Sequence, residues 1–305
     1  MKIVIIGVGG VGGYLGGLLA KNGQDVTFVT RKKQCQFLIK NGLLVESVDD
    51  NFHLQSIRVT DSFADIGSSD LILITTKTYN LLEVANQLKK VVNDSAVIIT
   101  MQNGLNSDLI VKDIISGVKV IPGVAYIVSE KVGYNKIQQT AGPRKFIFGT
   151  RTQGREIDYL KDIEQLFKRS GILANLVDNI EFHLWKKFLW IITFAGMTSL
   201  CRSSIGPIVN NEKIYQLYLD CLEEGLKVAQ AIGIKSIDRI KSEIIKKSEE
   251  YKTIGCHAKS SMLIDMEKGG KTEIDALNGC LVQIASELEI DVPINRCITA
   301  VVKMS

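Results

Sequence analysis

The stretch KIVIIGVGGVG, from Lys2 to Gly12, decides the fold of this chain. Its first part, 2–6, is a short apolar run of the kind that forms a buried parallel strand. The run leads directly into a G-x-G-x-x-G turn at the predicted start of a helix, where glycines permit a tight turn and close approach to a pyrophosphate. Glycine-rich turns alone are common, but this context predicts a dinucleotide site made of Gly7, Val8, Gly9, Gly10, Val11 and Gly12.

The residues that end the second predicted strand, 24–30, bear on which dinucleotide binds. A chain that binds NAD usually places Asp or Glu here, for the ribose 2′-hydroxyl. This chain has Thr30-Arg31-Lys32-Lys33 instead. The forked guanidinium of Arg31 suits a 2′-phosphate, which a carboxylate would repel. An ordinary solvated basic loop is the alternative, but the pattern favours NADP(H) over NAD(H), with Arg31 as a cofactor-binding residue.

Composition narrows the class of protein. The chain has 305 residues, of which 46% are hydrophobic, enough for two domains with a core each. A net charge of +4, with dispersed basic residues, argues against a nucleic-acid partner. A start on a core strand and apolar stretches too short to span a bilayer predict a cytoplasmic protein with no membrane partner. Six scattered cysteines and three isolated histidines predict free thiols and no metal site.

The order of the remaining elements predicts two domains. Strand-like runs at 71–76, 96–100 and 118–121 alternate with helical stretches at 13–22, 79–92 and 105–116. Residues 136–150 read as antiparallel additions and 155–170 as an amphipathic helix. From about residue 180 the period is helical throughout, with segments near 180–202, 214–232, 236–251, 272–288 and 294–303. We therefore expect an α/β fold: a Rossmann-type doubly wound sheet in 1–178, followed by an all-helical C-terminal domain in 179–305.

Two polar residues follow strands of the predicted sheet. Lys77 comes after the run 71–76, and Asn103 comes after the run 96–100. The carboxyl ends of strands in an open α/β sheet face the ligand, so both side chains can contact cofactor or substrate. The alternative is that both residues only close loops, since Asn-Gly is a common turn.

Two lysines lie inside the most apolar helical segment. Lys186 and Lys187 are flanked by Trp185 and Trp190, and adjacent helical residues point about 100° apart. At least one ammonium therefore leans toward the buried side, where it is costly without a partner or a role. A partly buried lysine has a lowered pKa and can donate a proton near neutrality. The alternative, that both lysines extend along the flank of the helix to solvent, stays open from the residues alone.

A third polar cluster lies further along the helical half. Ser260 and Ser261 stand at a predicted helix start, where serine can cap the helix or bind a carboxylate. Thr272-x-x-Asp275 reads as a variant capping box, which gives Asp275 a structural role. Glu273 reads equally as a surface carboxylate that complements the helix dipole.

Together these segments form six motifs in a fixed order along almost the whole chain. They are Gly7–Gly12, Lys77, Asn103-Gly104, Trp185-x-Lys187, Ser260-Ser261-Met262-x-x-Asp265 and Thr272-Glu273-Ile274-Asp275-x-x-Asn278-Gly279. In this order and spacing the chain resembles the ketopantoate reductase family, the 2-dehydropantoate 2-reductases. The resemblance implies NADPH-dependent reduction of a small-molecule 2-keto acid, with pantoate as product in coenzyme A biosynthesis.

The resemblance also implies roles for the polar residues. Lys187 would be the general acid and would bind the substrate, and Ser261 would bind the substrate carboxylate. Asn103 would hold substrate and nicotinamide together, and Lys77 would contact the cofactor. Glu273 would fix either the cofactor or Lys187. The apolar segment 188–200 is a candidate surface for a homodimer.

The chain departs from the family pattern after the lysine. The family has asparagines one and two helical turns on, whereas this chain has Ile191 and Ala195, with Thr193, Thr198 and Ser199 nearby. A site built to hydrogen-bond a substrate hydroxyl discriminates strongly through that bond. The alternatives are therefore a paralogous NADPH-dependent reductase of another 2-keto acid and a non-catalytic NADP(H)-binding protein.

Overall fold

The computed structural model describes residues 1–152, 158–253 and 256–304, and the chain divides into two compact units. The first unit contains 1–102 and 106–180, and the second contains 103–105 and 181–305. The predicted boundary after residue 178 lies two residues before this division. The inclusion of 103–105 in the second unit was not predicted.

The first unit is an α/β sheet with helices. Its strands are β1 Lys2–Ile6, β2 Asp25–Val29, β3 Leu43–Ser47, β4 Phe52–Leu54, β5 Arg58–Thr60, β6 Leu71–Ile74, β7 Val97–Thr100, β8 Lys119–Lys131, β9 Lys136–Gly149 and β10 Leu173–Val177. Its helices are α1 Gly10–Lys21, α2 Lys32–Asn41, α3 Leu81–Leu88, α4 Ser107–Ile114 and α5 Asp158–Arg169. The predicted start of the last helix, at 155, lies outside the described residues.

The strands form one sheet in the order β4-β3-β9-β8-β7-β6-β1-β2-β5, with β10 beside β9. Strands β8, β7, β6, β1, β2 and β5 are parallel neighbours, which confirms the predicted Rossmann-type class. Successive side chains of β1 face opposite layers: Ile3 and Ile5 belong to one buried cluster and Val4 to another. Burial on both faces explains why these strands read as continuous apolar runs.

The antiparallel addition predicted at 136–150 is β9, which pairs with the long strand β8. Strands β3, β4, β5 and β10 were not predicted, because they are short and carry polar residues without a continuous apolar run. The alternative of an ordinary basic loop after β2 does not describe Lys32 and Lys33, because Arg31 is the N-cap of α2 and Lys32 begins the helix.

The second unit is helical in the described residues. Its helices are α6 Glu181–Leu200, α7 Ile205–Val209, α8 Glu212–Ala231, α9 Ile237–Thr253, α10 Ser261–Glu267, α11 Asn278–Glu287 and α12 Pro293–Lys303. The single helix expected over 272–288 is instead a 3-10 turn, Ile274–Ala276, followed by α11. Within the described ranges, no helix is long and apolar enough to cross a membrane.

Helix α6 is the centre of the helical unit and packs against α8, α10 and α12. Glycines allow this close packing: a Cβ on Gly225 of α8 would lie 2.6 Å from Leu189 Cδ2. The amide of Asn278 joins three elements, because its Nδ2 donates to the Ile192 carbonyl oxygen at 3.0 Å and to Asn295 Oδ1 at 2.9 Å. Both asparagines are fully buried.

A buried carboxylate fixes the start of α12 against α8. Glu224, 6% exposed, accepts hydrogen bonds from the backbone N–H of Ile294 at 2.8 Å and of Asn295 at 3.0 Å. It also accepts one from Asn295 Nδ2 at 2.7 Å. These are the N–H groups that a helix leaves without internal partners, and a negative charge is favourable at that end of the helix dipole.

We expect Glu224→Gln to lower the free energy of unfolding by about 2 kcal/mol, because an amide nitrogen cannot accept these bonds and the charge is lost. Chemical denaturation followed by circular dichroism measures this loss. The neighbouring Glu223→Gln is the matched control, since Glu223 is exposed and forms a surface ion pair with Lys241. The control is expected to change stability by less than about 1 kcal/mol. Equal transitions for the two variants would contradict this account of α12.

Candidate active site

The turn after β1 has a backbone that only glycine adopts easily. Gly7 has φ +99°, and its N–H donates to the Val29 carbonyl oxygen at 2.9 Å. A Cβ at this position would lie 2.9 Å from the backbone nitrogen of Thr76. The turn is therefore pressed between the ends of β2 and β6 and has no room for a side chain.

The remaining glycines of the motif differ in what surrounds them. A Cβ on Gly12 would overlap the carbonyl oxygen of Gly7, and one on Gly10 would overlap the carbonyl oxygen of Ser129. A Cβ on Gly9 would meet nothing within 4 Å. Protein atoms thus explain the absence of side chains at Gly10 and Gly12, whereas Gly9 faces open space.

This open space lies at the N-terminus of α1, where Gly9 is the N-cap and its first turn carries no acidic residue. The first N–H groups of a helix lack internal acceptors and favour an anion. The arrangement fits the pyrophosphate of a dinucleotide, with Val8 and Val11 in the same turn.

Arg31 and Lys77 both belong to the surroundings of this turn. Arg31 Nη2 donates to Asn80 Oδ1 at 3.3 Å, and the Asn80 N–H donates to the Lys77 carbonyl oxygen at 3.0 Å. Lys77 is half-buried and follows Thr76, which contacts Gly7. The structure therefore brings the glycine turn, Arg31 and the Lys77 turn together in the first unit.

In the second unit, α6 separates the two lysines. Lys186 forms an ion pair with Glu243 and holds the pKa of that carboxyl below its usual range. Lys187 lies on another face of the helix, and burial lowers its pKa to about 8, an effect that the Glu273 carboxylate opposes. Both lysines are half-buried, but they differ in surroundings: Lys187 is an amine of lowered pKa near Glu273, and Lys186 is paired with the Glu243 carboxylate.

Glu273 corrects two expectations about its segment. It is 6% exposed, so it is not a surface carboxylate, and it directly precedes the 3-10 turn Ile274–Ala276. The capping box is also wrong, because α11 begins only at Asn278. Asp275 is exposed and forms a 2.5 Å ion pair with Lys303. The buried carboxylate near Lys187 is thus Glu273.

Asn103 lies on a loop that packs on the same 3-10 turn. The adjacent Gly104 has φ +101°, and a Cβ there would lie 3.0 Å from the Ala276 carbonyl oxygen. The second unit therefore contains Lys187, Glu273 and Asn103. Glu273 and the loop of Asn103 both adjoin the 3-10 turn Ile274–Ala276.

The serines divide into a structural and an exposed residue. Ser260 is buried, its Oγ accepts from the Leu263 N–H at 3.1 Å, and the same Oγ lies at hydrogen-bond distance, 2.8 Å, from Thr198 Oγ1. It therefore caps α10 and joins it to α6, a link that the sequence analysis missed because Thr198 is 62 residues away. Ser261 is the first residue of α10 and is exposed, which leaves its hydroxyl accessible to a ligand.

The face of α6 beyond Lys187 is apolar. Ile191 and Ala195, four and eight residues on, are 8% and 4% exposed. The hydroxyls of Thr193 and Thr198 donate to the carbonyl oxygens of Leu189 and Phe194, each at 2.8 Å. These threonine hydroxyls therefore donate to backbone carbonyl oxygens of α6 and do not replace the family's asparagine amides.

The described part of the chain holds no cluster of three or more His, Cys, Asp or Glu side chains that could bind a metal ion. The polar groups gathered in the two units are instead two cations and a glycine turn in the first, and an amine, a carboxylate and an amide in the second. These groups are suited to a phosphate-bearing cofactor and to proton transfer.

Comparison with known proteins gives two family matches. Residues 3–153 match the model described as ketopantoate reductase PanE/ApbA, and residues 179–305 match its C-terminal model. The chain is 31% identical to an uncharacterized oxidoreductase, YkpB, of Bacillus subtilis, with 100% of this chain and 98% of that protein covered. It is 28% identical to the 2-dehydropantoate 2-reductase of Pyrococcus horikoshii, with 99% and 97% covered.

Solved structures agree with these matches. The 2-dehydropantoate 2-reductase of Geobacter metallireducens superposes with a TM-score of 0.91 at 25% identity, covering 100% of this chain and 99% of that one. A dimeric ketopantoate reductase of Staphylococcus aureus has a TM-score of 0.84 at 23% identity, covering 100% and 98%, and so shares the fold. With both halves of the chain matched, this protein belongs to the ketopantoate reductase family of oxidoreductases.

Proposed function

We propose that this protein reduces 2-dehydropantoate to pantoate with NADPH, a step toward pantothenate and coenzyme A. The observation that carries this proposal is the Lys187 amine, whose pKa burial lowers to about 8 beside Glu273. Such an amine is protonated at neutral pH yet gives up its proton readily. Bound NADPH would supply the hydride to the C2 carbonyl carbon.

The residues of the helical unit would manage the charge and the proton. The Lys187 ammonium donates a hydrogen bond to the keto oxygen, stabilises the negative charge that develops there, and transfers its proton to it. Glu273 keeps Lys187 charged and oriented, or holds the cofactor. Asn103 holds the substrate beside the nicotinamide, and the Ser261 hydroxyl binds the substrate carboxylate.

The residues of the first unit would hold the cofactor. The turn from Gly7 to Gly12 takes the pyrophosphate on the N–H groups of α1, with Gly9 leaving the space for it. Arg31 pairs with the 2′-phosphate, and Lys77 contacts the cofactor from the end of β6. We extend the proposal to a homodimer, because a dimeric ketopantoate reductase shares this fold.

A second candidate function is reduction of another 2-keto acid, one with a more apolar side chain. The buried apolar face made by Ile191 and Ala195 favours it, since this face offers no amide to a substrate hydroxyl. A non-catalytic NADP(H)-binding role is disfavoured by Lys187, because a protein that only binds a dinucleotide needs no buried proton donor.

Turnover of keto acids tests the proposed reaction directly. NADPH oxidation is measured with 2-dehydropantoate, beside NADH and a panel of branched and aromatic 2-keto acids. We expect NADPH-dependent turnover, and we expect Lys187→Ala to lower kcat by about 10²- to 10⁴-fold while leaving NADPH affinity unchanged. Lys186→Ala is the matched control, because Lys186 forms an ion pair with Glu243 on another face of α6.

Preferred turnover of a more apolar keto acid would favour the second candidate function. Tight NADPH binding with no turnover of any acid would overturn both catalytic proposals. Full activity of Lys187→Ala would remove this residue from the reaction.

The rate of the proposed reaction should depend on pH. The protonated form of Lys187 is the acid, so kcat/KM for reduction should be level below pH about 8 and fall about tenfold per pH unit above it. Because Glu273 raises the pKa of Lys187, Glu273→Gln should move the midpoint of this fall to lower pH. A pH profile of kcat/KM for both proteins measures the shift. An unchanged midpoint would contradict the coupling of the two residues.

Alanine substitutions at Gly9 and Gly12 should have different effects. Gly9→Ala should fold with unchanged thermal stability, because its Cβ meets open space, yet it should weaken NADPH and NADH alike by filling the pyrophosphate site. Gly12→Ala should be destabilised by roughly 3 kcal/mol, since its Cβ overlaps the Gly7 carbonyl oxygen. Thermal unfolding and calorimetric titration measure the two effects. Unchanged dinucleotide affinity in Gly9→Ala would place the pyrophosphate elsewhere.

A further inference from the structure

A group of cations lies beside the glycine turn, and only part of it was apparent in the sequence. Lys131, the last residue of β8, is about one hundred positions from Arg31 along the chain. The end of β8 nevertheless lies along the turn, because Ser129 Oγ donates to the Gly10 carbonyl oxygen at 3.0 Å. Lys131 is therefore close to the proposed cofactor site in space.

A buried amide connects Lys131 to both parts of that site. Gln34, 7% exposed, donates through Nε2 to the Val8 carbonyl oxygen at 2.8 Å. Its Oε1 accepts from Thr30 Oγ1 at 2.8 Å and from Lys131 Nζ at 3.4 Å. One side chain thus joins the glycine turn, the end of β2 and the ammonium of Lys131.

The cations around this amide repel one another. Burial lowers the pKa of Lys131 by removing its ammonium from water. The Tyr134 hydroxyl opposes this shift, and the nearby Arg31 guanidinium lowers the pKa further. The Tyr134 ring lies under both Lys33, at 5.0 Å, and Lys131, at 5.6 Å. In the part of the chain that the structure describes, neither Arg31 nor Lys131 forms an ion pair with a carboxylate.

We propose that Lys131 is a second cation for the 2′-phosphate of the cofactor, positioned by Gln34, and that selectivity for NADPH depends on Lys131 together with Arg31. This inference rests on the proposed use of NADP(H). A phosphate dianion between the two cations would relieve their repulsion and form charge-assisted hydrogen bonds with both. The Gln34 contact sets where the ammonium lies relative to the turn that takes the pyrophosphate.

A lysine that only keeps the surface of the β8–β9 hairpin polar, without contacting the 2′-phosphate, would behave differently. Its removal would change affinity for every nucleotide equally or for none, because NADPH and NADH carry the same pyrophosphate. The ratio of the two affinities therefore isolates the 2′-phosphate contact from general electrostatics.

The test is calorimetric titration of the full chain, without substrate, using NADPH, NADH, adenosine 2′,5′-bisphosphate and AMP. Lys131→Met should weaken NADPH and adenosine 2′,5′-bisphosphate by about 10- to 100-fold and leave NADH and AMP unchanged. Lys131→Arg should restore most of the loss. Lys119→Met is the matched control, because Lys119 begins the same strand and also lies over a tyrosine ring, that of Tyr159.

Gln34→Leu tests the positioning role, and its readout is the ratio of NADPH to NADH affinity. The ratio of NADPH affinity to NADH affinity should fall. Loss of the Gln34 hydrogen bond to Val8 can weaken both dinucleotides, but it affects the two equally because they carry the same pyrophosphate. A ratio that is unchanged in both Lys131→Met and Gln34→Leu, while the wild-type protein prefers NADPH, would overturn this inference and leave the proposed function standing. Equal affinity of the wild-type protein for NADPH and NADH would overturn the cofactor assignment itself.

Discussion

The burial of one amine beside one carboxylate is the constraint on which the helical unit depends. An ammonium taken out of water is destabilising, and Glu273 offsets only part of that effect, since the pKa of Lys187 remains lowered, at about 8. Such a group stays in place only if its helix cannot shift toward solvent. The Asn278 amide holds the Ile192 carbonyl oxygen, and Gly225 lets α8 pack directly on α6. These contacts therefore help to keep α6, and with it the Lys187 amine, in place.

The two units use backbone and side chains for different tasks. In the first, the glycines at Gly10 and Gly12 are required by protein atoms, whereas a Cβ on Gly9 of the same motif would meet no protein atom within 4 Å. Recognition of a pyrophosphate there would come from N–H groups and a helix dipole, which are the same in every dinucleotide. Discrimination between NADPH and NADH would then come from side chains at the ends of β2 and β8. Under the proposed function, the backbone would thus supply the affinity common to all dinucleotides, and a few cations would decide between NADPH and NADH.

Much of this could be predicted from the sequence, where the signal is local. The apolar run 2–6, the glycine spacing and the long helices near 181–200 and 212–231 each lie in one continuous segment, and all form as expected. The features that the sequence did not predict depend on contacts between distant parts of the chain. Strand β10 exists because it pairs with β9, and Lys131 reaches Gln34 across 97 positions. From the residues alone, deciding which of Lys186 and Lys187 is paired at the surface likewise required knowing that Glu243 lies opposite Lys186.

The apolar face of α6 can be reconciled with a conserved reaction type. In the proposed reaction Lys187 donates the proton, and its pKa is set by its burial and by the Glu273 carboxylate. Ile191 and Ala195, one and two turns further along the helix, present carbon to their surroundings and offer no hydrogen bond to a substrate hydroxyl. Under the proposed function, replacing amides there would change which keto acid is bound well and would leave the amine and its carboxylate in place. Substrate choice and chemistry would then be set by different residues of the same helix, so that one could diverge without the other.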